Sequence, residues 1–344
     1  MTFPKTRTNR WHKWLPGIII SLAVIIALAF VVDWGQFWVS FRQVRITTVA
    51  SLALLSFFSL VFRSLAWRSL LENRLSVIDA FFCENIGYLL NNLLPFRLGE
   101  LARAVVGAER AGGTIGFVLP SILVERLIDI GFGALTLLIA LPFIIGGEFV
   151  TSSAIIAIIL VGTAITGIIF FVKYLRIFQN IVHCLFARFE TVEQKLLHAL
   201  DQIHGGLHSS LRRKSIFLAI FWLVLTWAGY WASFFVAVRT AAPQAPFAWA
   251  LFVGGVVSLG IAVPSAPGNI GVWEAAFVGA MAILGVEYST ALAGAIIMHL
   301  VAYLVTGTAG IAGIILYGES FHSILMKVKK HKVSDEEILM GDQQ

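Results

Sequence analysis

The sequence has 344 residues, 58% hydrophobic and 13% charged, with mean hydropathy +0.88 and a formal charge of +6. This composition excludes a soluble globular domain, and apolar runs recurring from Pro16 to Tyr317 predict an all-α polytopic integral membrane protein. The basic residues gather at the edges of those runs, which points to membrane orientation and anionic headgroups and away from nucleic acid.

Segment 1–15 is a basic N-terminus in which Lys5, Arg7, Arg10 and Lys13 precede an apolar run. Ala27-Leu28-Ala29 imitates a signal-peptide cleavage site, but the run continues through Val32. The sequence therefore predicts a retained first helix with Trp34 at the interface. Six full spans are expected, at 16–32, 46–62, 114–145, 150–172, 215–238 and 290–317. Segments 79–112 and 247–285 remain, each a helix, a proline/glycine break and a second helix headed by a glutamate. The first break reads Asn91-Asn92-Leu93-Leu94-Pro95-Phe96-Arg97-Leu98-Gly99-Glu100. The second reads Pro264-Ser265-Ala266-Pro267-Gly268-Asn269-Ile270-Gly271-Val272-Trp273-Glu274. Broken backbone at membrane depth survives only where it is buried in protein or lines a cavity, so both segments read as re-entrant helical hairpins.

Loop charge sets the orientation. With the N-terminus inside, 21 of the 25 lysines and arginines lie in segments 1–15, 63–78, 97–112, 173–214 and 318–344. Three lie in 33–45, 146–149, 239–246 and 286–289, and Arg126 falls inside a span. The positive-inside rule then predicts cytoplasmic N- and C-termini in a bacterial cytoplasmic (inner) membrane. One hairpin enters from the cytoplasm and the other from outside, and their flanking spans run in reverse order. Units 46–145 and 215–317 thus form an inverted-repeat arrangement inside a single transmembrane domain, 16–317, with a cytoplasmic tail at 318–344. Paired breaks in corresponding halves are a pointer to a transport site.

The linker 173–214 carries Phe178, Ile181, Val182, Leu185, Phe186 and Phe189 at helical spacing beside Arg176, Arg188 and Lys195, which predicts a helix lying on the inner leaflet. His198, His204 and His208 suit a polar helix face better than a metal site, and Cys83 and Cys184 fit no metal or redox spacing. No cofactor or metal is expected, and no P-loop offers an ATP site.

Ionisable residues at membrane depth are functional candidates. The first hairpin holds Glu84, Asn85, Asn91, Asn92, Arg97, Glu100 and Arg103. Arg97 sits just before a helix, where free N–H groups already favour an anion, and a guanidinium there can bind two phosphate oxygens. Pairing with Glu100 to close the hairpin is the alternative role. Glu125 and Asp129, four residues apart, share a face of the next span with Arg126. They form either a polar site wall balancing Arg97 or Arg103, or a structural ion-pair network. In the second break, Asn269 tolerates irregular backbone and Gly271 leaves room for close approach. Glu274 falls in a first helical turn, suited to capping N–H groups or to a proton or headgroup. His299 reads as a hydrogen-bonded interior histidine or a proton relay.

Across roughly residues 15–320 these motifs resemble the lysylphosphatidylglycerol synthase transmembrane-region family, also called the UPF0104 membrane proteins. The resemblance rests on Gly87-Tyr88, Asn91-Asn92 and Pro95-Phe96-Arg97-Leu98-Gly99-Glu100, then Val124-Glu125-Arg126-Leu127-Ile128-Asp129, then Pro267 to Glu274. Asn269 and Trp273 depart from it, since the family pattern there is more glycine-rich and often has arginine before the glutamate. In bifunctional relatives this region is implied to flip an aminoacylated phospholipid made by a fused transferase domain. Here 27 mostly polar residues follow Tyr317. The resemblance therefore implies handling of a phospholipid or lipid-linked substrate and not synthesis of lysylphosphatidylglycerol. The expected function is binding and translocation of such a substrate. Its headgroup would meet Asn91, Asn92, Arg97, Glu100, Arg103, Glu125, Arg126, Asp129, Asn269 and Glu274. The alternatives are a membrane transferase using Glu100 or Glu125 as base on a lipid-linked donor, and a scaffold for such an enzyme. A lipid-modifying enzyme and a second copy of the chain are compatible partners.

Overall fold

The computed structural model describes residues 15–94, 97–145, 173–186, 190–261 and 266–328, together with 166 and 170. The basic N-terminus, Pro95 and Phe96, Pro264 and Ser265, nearly all of the expected span 150–172 and the end of the tail lie outside the described residues. The elements in chain order are α1 (Leu15–Val31), α2 (Trp34–Arg42), α3 (Ile46–Leu70), α4 (Val77–Leu93), α5 (Leu98–Ala111) and α6 (Ile115–Ile145). After the linker helices α7 (Leu175–Phe186) and α8 (Glu190–Ser210) come α9 (Arg213–Ala241), α10 (Phe247–Gly260), a 3₁₀ turn (Pro267–Asn269), α11 (Val272–Ile283) and α12 (Tyr288–Leu316). A last helical segment, α13, covers 321–328. Among the described residues α3, α6, α9 and α12 are long and apolar enough to cross a membrane, and the pair α1–α2 is a fifth candidate bent by 91°.

The bend follows from Asp33, whose carboxylate accepts from the N–H groups of Gly35 and Gln36 and starts a new helix. That helix carries Trp34, Phe37, Trp38 and Phe41, an aromatic set suited to a membrane surface. It is tied to the start of α12 by a bond from Asp33 N to Ser289 Oγ, 2.9 Å. In the linker, α7 buries none of its side chains and leaves Ile177, Ile181 and Leu185 exposed on one face. Helix α8 instead packs on the start of α6 through Gly206, which lies against Phe117 and Pro120.

One expected boundary is corrected. The span ending at residue 62 continues unbroken to Leu70, so Arg63 lies inside α3, nearly fully buried, and not in a loop. No proline or glycine stands between Phe62 and Leu70, and the charge is met by carboxylates of other helices, as described below.

The packing has an exchange pattern. Helix α3 runs antiparallel to its counterpart α9: Glu72 meets Arg212, Phe62 stacks on Trp222, and Gly229 lies against Ser59. The hydrogen bond from Arg212 holds the Glu72 carboxyl below its ordinary value at this exposed end. Helix α4 lies antiparallel on α12, with Gly310 against Asn85 and Leu89, and Gly313 against Phe82. Helix α10 lies antiparallel on α6, with Gly255 against Leu137 and Gly133 against Ser258. The first helix of each broken segment thus docks on the closing helix of the other unit, and glycine permits the approach in both.

Candidate functional site

The turn between α4 and α5 is very tight. Asn91 Oδ1 accepts the backbone N–H of Gly99 at 2.8 Å, satisfying an orphan donor of the first turn of α5. Gly99 packs on the carbonyl of Gly87, leaving no room for a side chain. Arg97 takes a left-handed backbone, φ 51°, immediately before α5. Its side chain is exposed and crosses to the second break, donating from Nη2 to the carbonyl of Ile261 at 2.8 Å. It therefore does not pair with Glu100.

The second break is built on positive-φ backbone at Gly268 (69°), Asn269 (58°) and Gly271 (87°). Tyr303 donates to the Gly268 carbonyl, and Gly268 also faces the Asn92 carbonyl, so the two breaks touch a second time. Asn92 Nδ2 donates to Thr306 on α12 at 3.2 Å. Glu274 accepts from Gly271 N at 2.7 Å, the capping role, and its other oxygen meets His299 Nδ1 at 2.5 Å. His299 stacks between Trp273 and Tyr303, with ring centroids at 4.6 and 4.3 Å. An apolar cavity of about 410 Å³, lined by Ile25, Leu28, Ile270 and Leu292, reaches Glu274 between α1, α11 and α12. Glu274→Ala should cost about 1 kcal/mol through the lost cap, read as a lowered melting temperature in detergent.

Behind the first break lies a buried charge cluster. Arg103 on α5 grips Glu125 on α6 with both terminal nitrogens, Nη2–Oε2 2.6 Å and Nη1–Oε1 3.3 Å. Arg63 on α3 meets the same carboxylate (Nη2–Oε1 2.6 Å) and Asp129, to which Nη1 donates at 3.2 Å and Nη2 also donates. Arg126 pairs with Glu100 at 2.8 Å and with Asp129 at 3.3 Å. Trp227 Nε1 on α9 donates to Asp129 Oδ1 at 3.2 Å. Arg103 also lies over the Trp67 ring, 4.1 Å from its centroid, and Trp67 Nε1 is held by Ser121. The guanidiniums are thus fixed on several sides at once, as expected where a charge leaves water.

The candidates separate by access. Arg103 and Glu125 are buried and paired with each other, whereas Arg97 is exposed and Arg126 and Glu100 are partly so, with side chains 29% and 20% accessible. Asp129 is the hinge between the two sets. Asn91 and Asn92 are absorbed in shaping the first break. Asn269 and Glu274 sit on the second, and the bond from Arg97 to Ile261 ties the two breaks together. Sequence reasoning missed Arg63 as a member, and it named Glu84 without assigning it a place here. Both had a signal: Arg63 falls in an uninterrupted helical stretch, and Glu84 is an ionisable residue at membrane depth on the first hairpin. Among the described residues no three His, Cys, Asp or Glu side chains gather as a metal site.

The family model described as "Lysylphosphatidylglycerol synthase TM region" matches residues 18–310. A UPF0104 membrane protein of Methanothermobacter thermautotrophicus is 24% identical over 324 residues, covering 88% of this chain and 94% of that protein. A further match to a UPF0104 membrane protein of that organism is 24% identical over 142 residues, 39% of each chain. No solved structure matches. With most of its length inside the family model, the chain belongs to the lysylphosphatidylglycerol synthase transmembrane-region family of membrane proteins.

Proposed function

We propose that the protein binds a phospholipid or lipid-linked substrate where its two breaks meet and translocates it across the cytoplasmic membrane. The observation that carries this reading is Arg97, an exposed guanidinium spanning from one break to the carbonyl of the other. A guanidinium held by one bond to a neutral carbonyl keeps N–H groups for two phosphate oxygens, which outcompete a carbonyl as acceptors. Arg126, partly accessible and paired with Glu100 in the first turn of α5, would be the second phosphate contact. Glu100 and Glu274 would face a cationic headgroup group, and the apolar cavity beside Glu274 suits acyl chain. The buried Arg63–Arg103–Glu125 set is the rigid wall behind the site.

The membrane arrangement of this reading is six full spans with two opposed re-entrant hairpins, and both termini in the cytoplasm. Helix lengths support it: α4, α5, α10 and α11 have 17, 14, 14 and 12 residues. At 1.5 Å per residue these are about 18–26 Å long, short of a hydrocarbon core of about 30 Å. The antiparallel pairing of α3 with α9 supports the inverted repeat, because a two-fold axis in the membrane plane reverses counterpart helices. A lipid-modifying partner enzyme and a homo-oligomer are compatible with this arrangement.

Purified protein in liposomes carrying a fluorescent phospholipid, quenched from outside, tests the function. Transbilayer movement without chemical change is expected. Arg97→Ala should slow it about 10–100-fold, the worth of about 1.5–3 kcal/mol for bonds to a charged group, with Arg97→Lys in between. The melting temperature should hardly move, since Arg97 is exposed and makes one bond to Ile261. A new lipid product, or unchanged movement in Arg97→Ala, would overturn the reading.

A further inference from the structure

Glu84 is an odd member of the charge cluster. It projects from α4 between Arg63 and Arg103 and is 1% exposed. Three guanidiniums, Arg63, Arg103 and Arg126, face four carboxylates, Glu84, Glu100, Glu125 and Asp129. Three of those carboxylates are matched by an arginine in direct contact: Glu100 by Arg126, Glu125 by Arg63 and Arg103, Asp129 by Arg63 and Arg126. Glu84 is not. Arg63 Nε and Arg103 Nη1 approach its Oε1 at 3.3 and 3.6 Å without hydrogen-bond alignment, and among the described residues neither Glu84 oxygen has a hydrogen-bond partner. Other titratable groups near enough to feel its charge are Glu125, Arg126, Tyr88 on α4 and Tyr230 on α9. Asp79, more than a turn earlier on α4, and the adjacent Cys83 turn away to Tyr317. The α12 surface against α4 offers Thr306, Gly310 and Gly313, none of them charged.

A buried carboxylate without a hydrogen bond is among the most costly arrangements in a membrane protein, and an excess negative charge adds to that cost. One proton removes both. A metal cation is disfavoured by the two guanidiniums on either side, whereas a proton is held covalently by the oxygen itself. We propose that Glu84 is a proton-binding site: in this conformation its carboxyl is protonated and the cluster is neutral, three positive against three negative.

The site also has a coupling consequence, which rests on the translocation reading. An anionic phosphate drawn to Arg126 takes up positive charge that now serves Glu100 and Asp129. The cluster then has a deficit, and the proton on Glu84 is held more firmly. By linkage the proton in turn favours the anion. A movement that turned Arg63 or Arg103 into aligned contact with Glu84 would release the proton. Binding of an anionic headgroup should therefore raise the pH at which Glu84 gives up its proton.

Infrared difference spectroscopy of the protein in nanodiscs tests the site without reference to transport. At neutral pH a protonated-carboxyl stretch, shifted in heavy water, is expected, and it should fade on alkaline titration. Glu84→Gln, which imitates the protonated form in shape and polarity, should fold and lose that band, while Glu72→Gln, outside the cluster and paired with Arg212, keeps it. Absence of the band in the unsubstituted protein, or its survival in Glu84→Gln, would overturn the proton site. Coupling is read separately in the liposomes. Lipid movement that varies with pH in the unsubstituted protein and not in Glu84→Gln supports it. A present band with pH-independent movement rejects coupling and leaves the proton site standing. No lipid movement in any variant rejects translocation alone.

Discussion

Arg63→Met should destabilise the protein by about 3–5 kcal/mol, the cost of removing one partner from a buried ion pair. Arg63 touches Glu84, Glu125 and Asp129 at once, and its side chain is 3% accessible. Methionine fills much of the same volume, so the loss reports charge and hydrogen bonding more than a cavity. With Arg63 gone, Arg103 and Arg126 are left with four carboxylates, and Asp129 keeps Arg126 and Trp227 Nε1. Adding Asp129→Asn removes one negative charge and should recover part of the loss. The check is thermal unfolding of both variants in one detergent. A single variant within 1 kcal/mol of the parent, or a double variant worse than the sum of its parts, would show that the cluster is not held by Arg63.

Gly99→Ala should be nearly as severe, for a steric reason. An added Cβ would collide with the Gly87 carbonyl and lie 2.6 Å from Asn91 Oδ1 and 2.7 Å from Asn91 N. All three are backbone or a side chain already committed to holding the turn, so none can yield cheaply. Overpacking of this kind costs about 1–3 kcal/mol and occasionally more. The hairpin would have to open, which moves Arg97 away from Ile261 and Arg103 away from Glu125. The expected result is a lowered melting temperature together with loss of lipid movement. Gly205→Ala is the control, because nothing lies within 4 Å of a Cβ there.

The parts of this fold legible in the sequence are those written in local chemistry. Proline and glycine mark both breaks, and uninterrupted apolar stretches mark α6, α9 and α12 to within a few residues. The helical end of α3 was harder to read. A single arginine after an apolar run looks like the start of a loop, and its burial depends on carboxylates 21, 62 and 66 residues further along the chain. The charged set on α6 was recognisable from Glu125-Arg126-Leu127-Ile128-Asp129, but not which arginine each would meet. That depends on how α3, α5 and α6 cross. Arg97 is the clearest case: its position in the first break was visible, yet its partner is a backbone carbonyl 164 residues away. No residue type advertises a carbonyl.

The exchange of helices between units bears on how the chain comes to be folded at all. Helix α4 finds its closest long neighbour in α12, α10 finds it in α6, and α3 lies along α9. Neither half therefore possesses a complete interior. A ribosome delivering the first unit releases helices whose glycine-seated partners do not yet exist, and the buried arginines wait without the Trp227 contact. The two halves are expected to form one cooperative unit, melting in one transition instead of two. Half-chains expressed alone should be degraded, and the same half-chains expressed together should survive by finding each other.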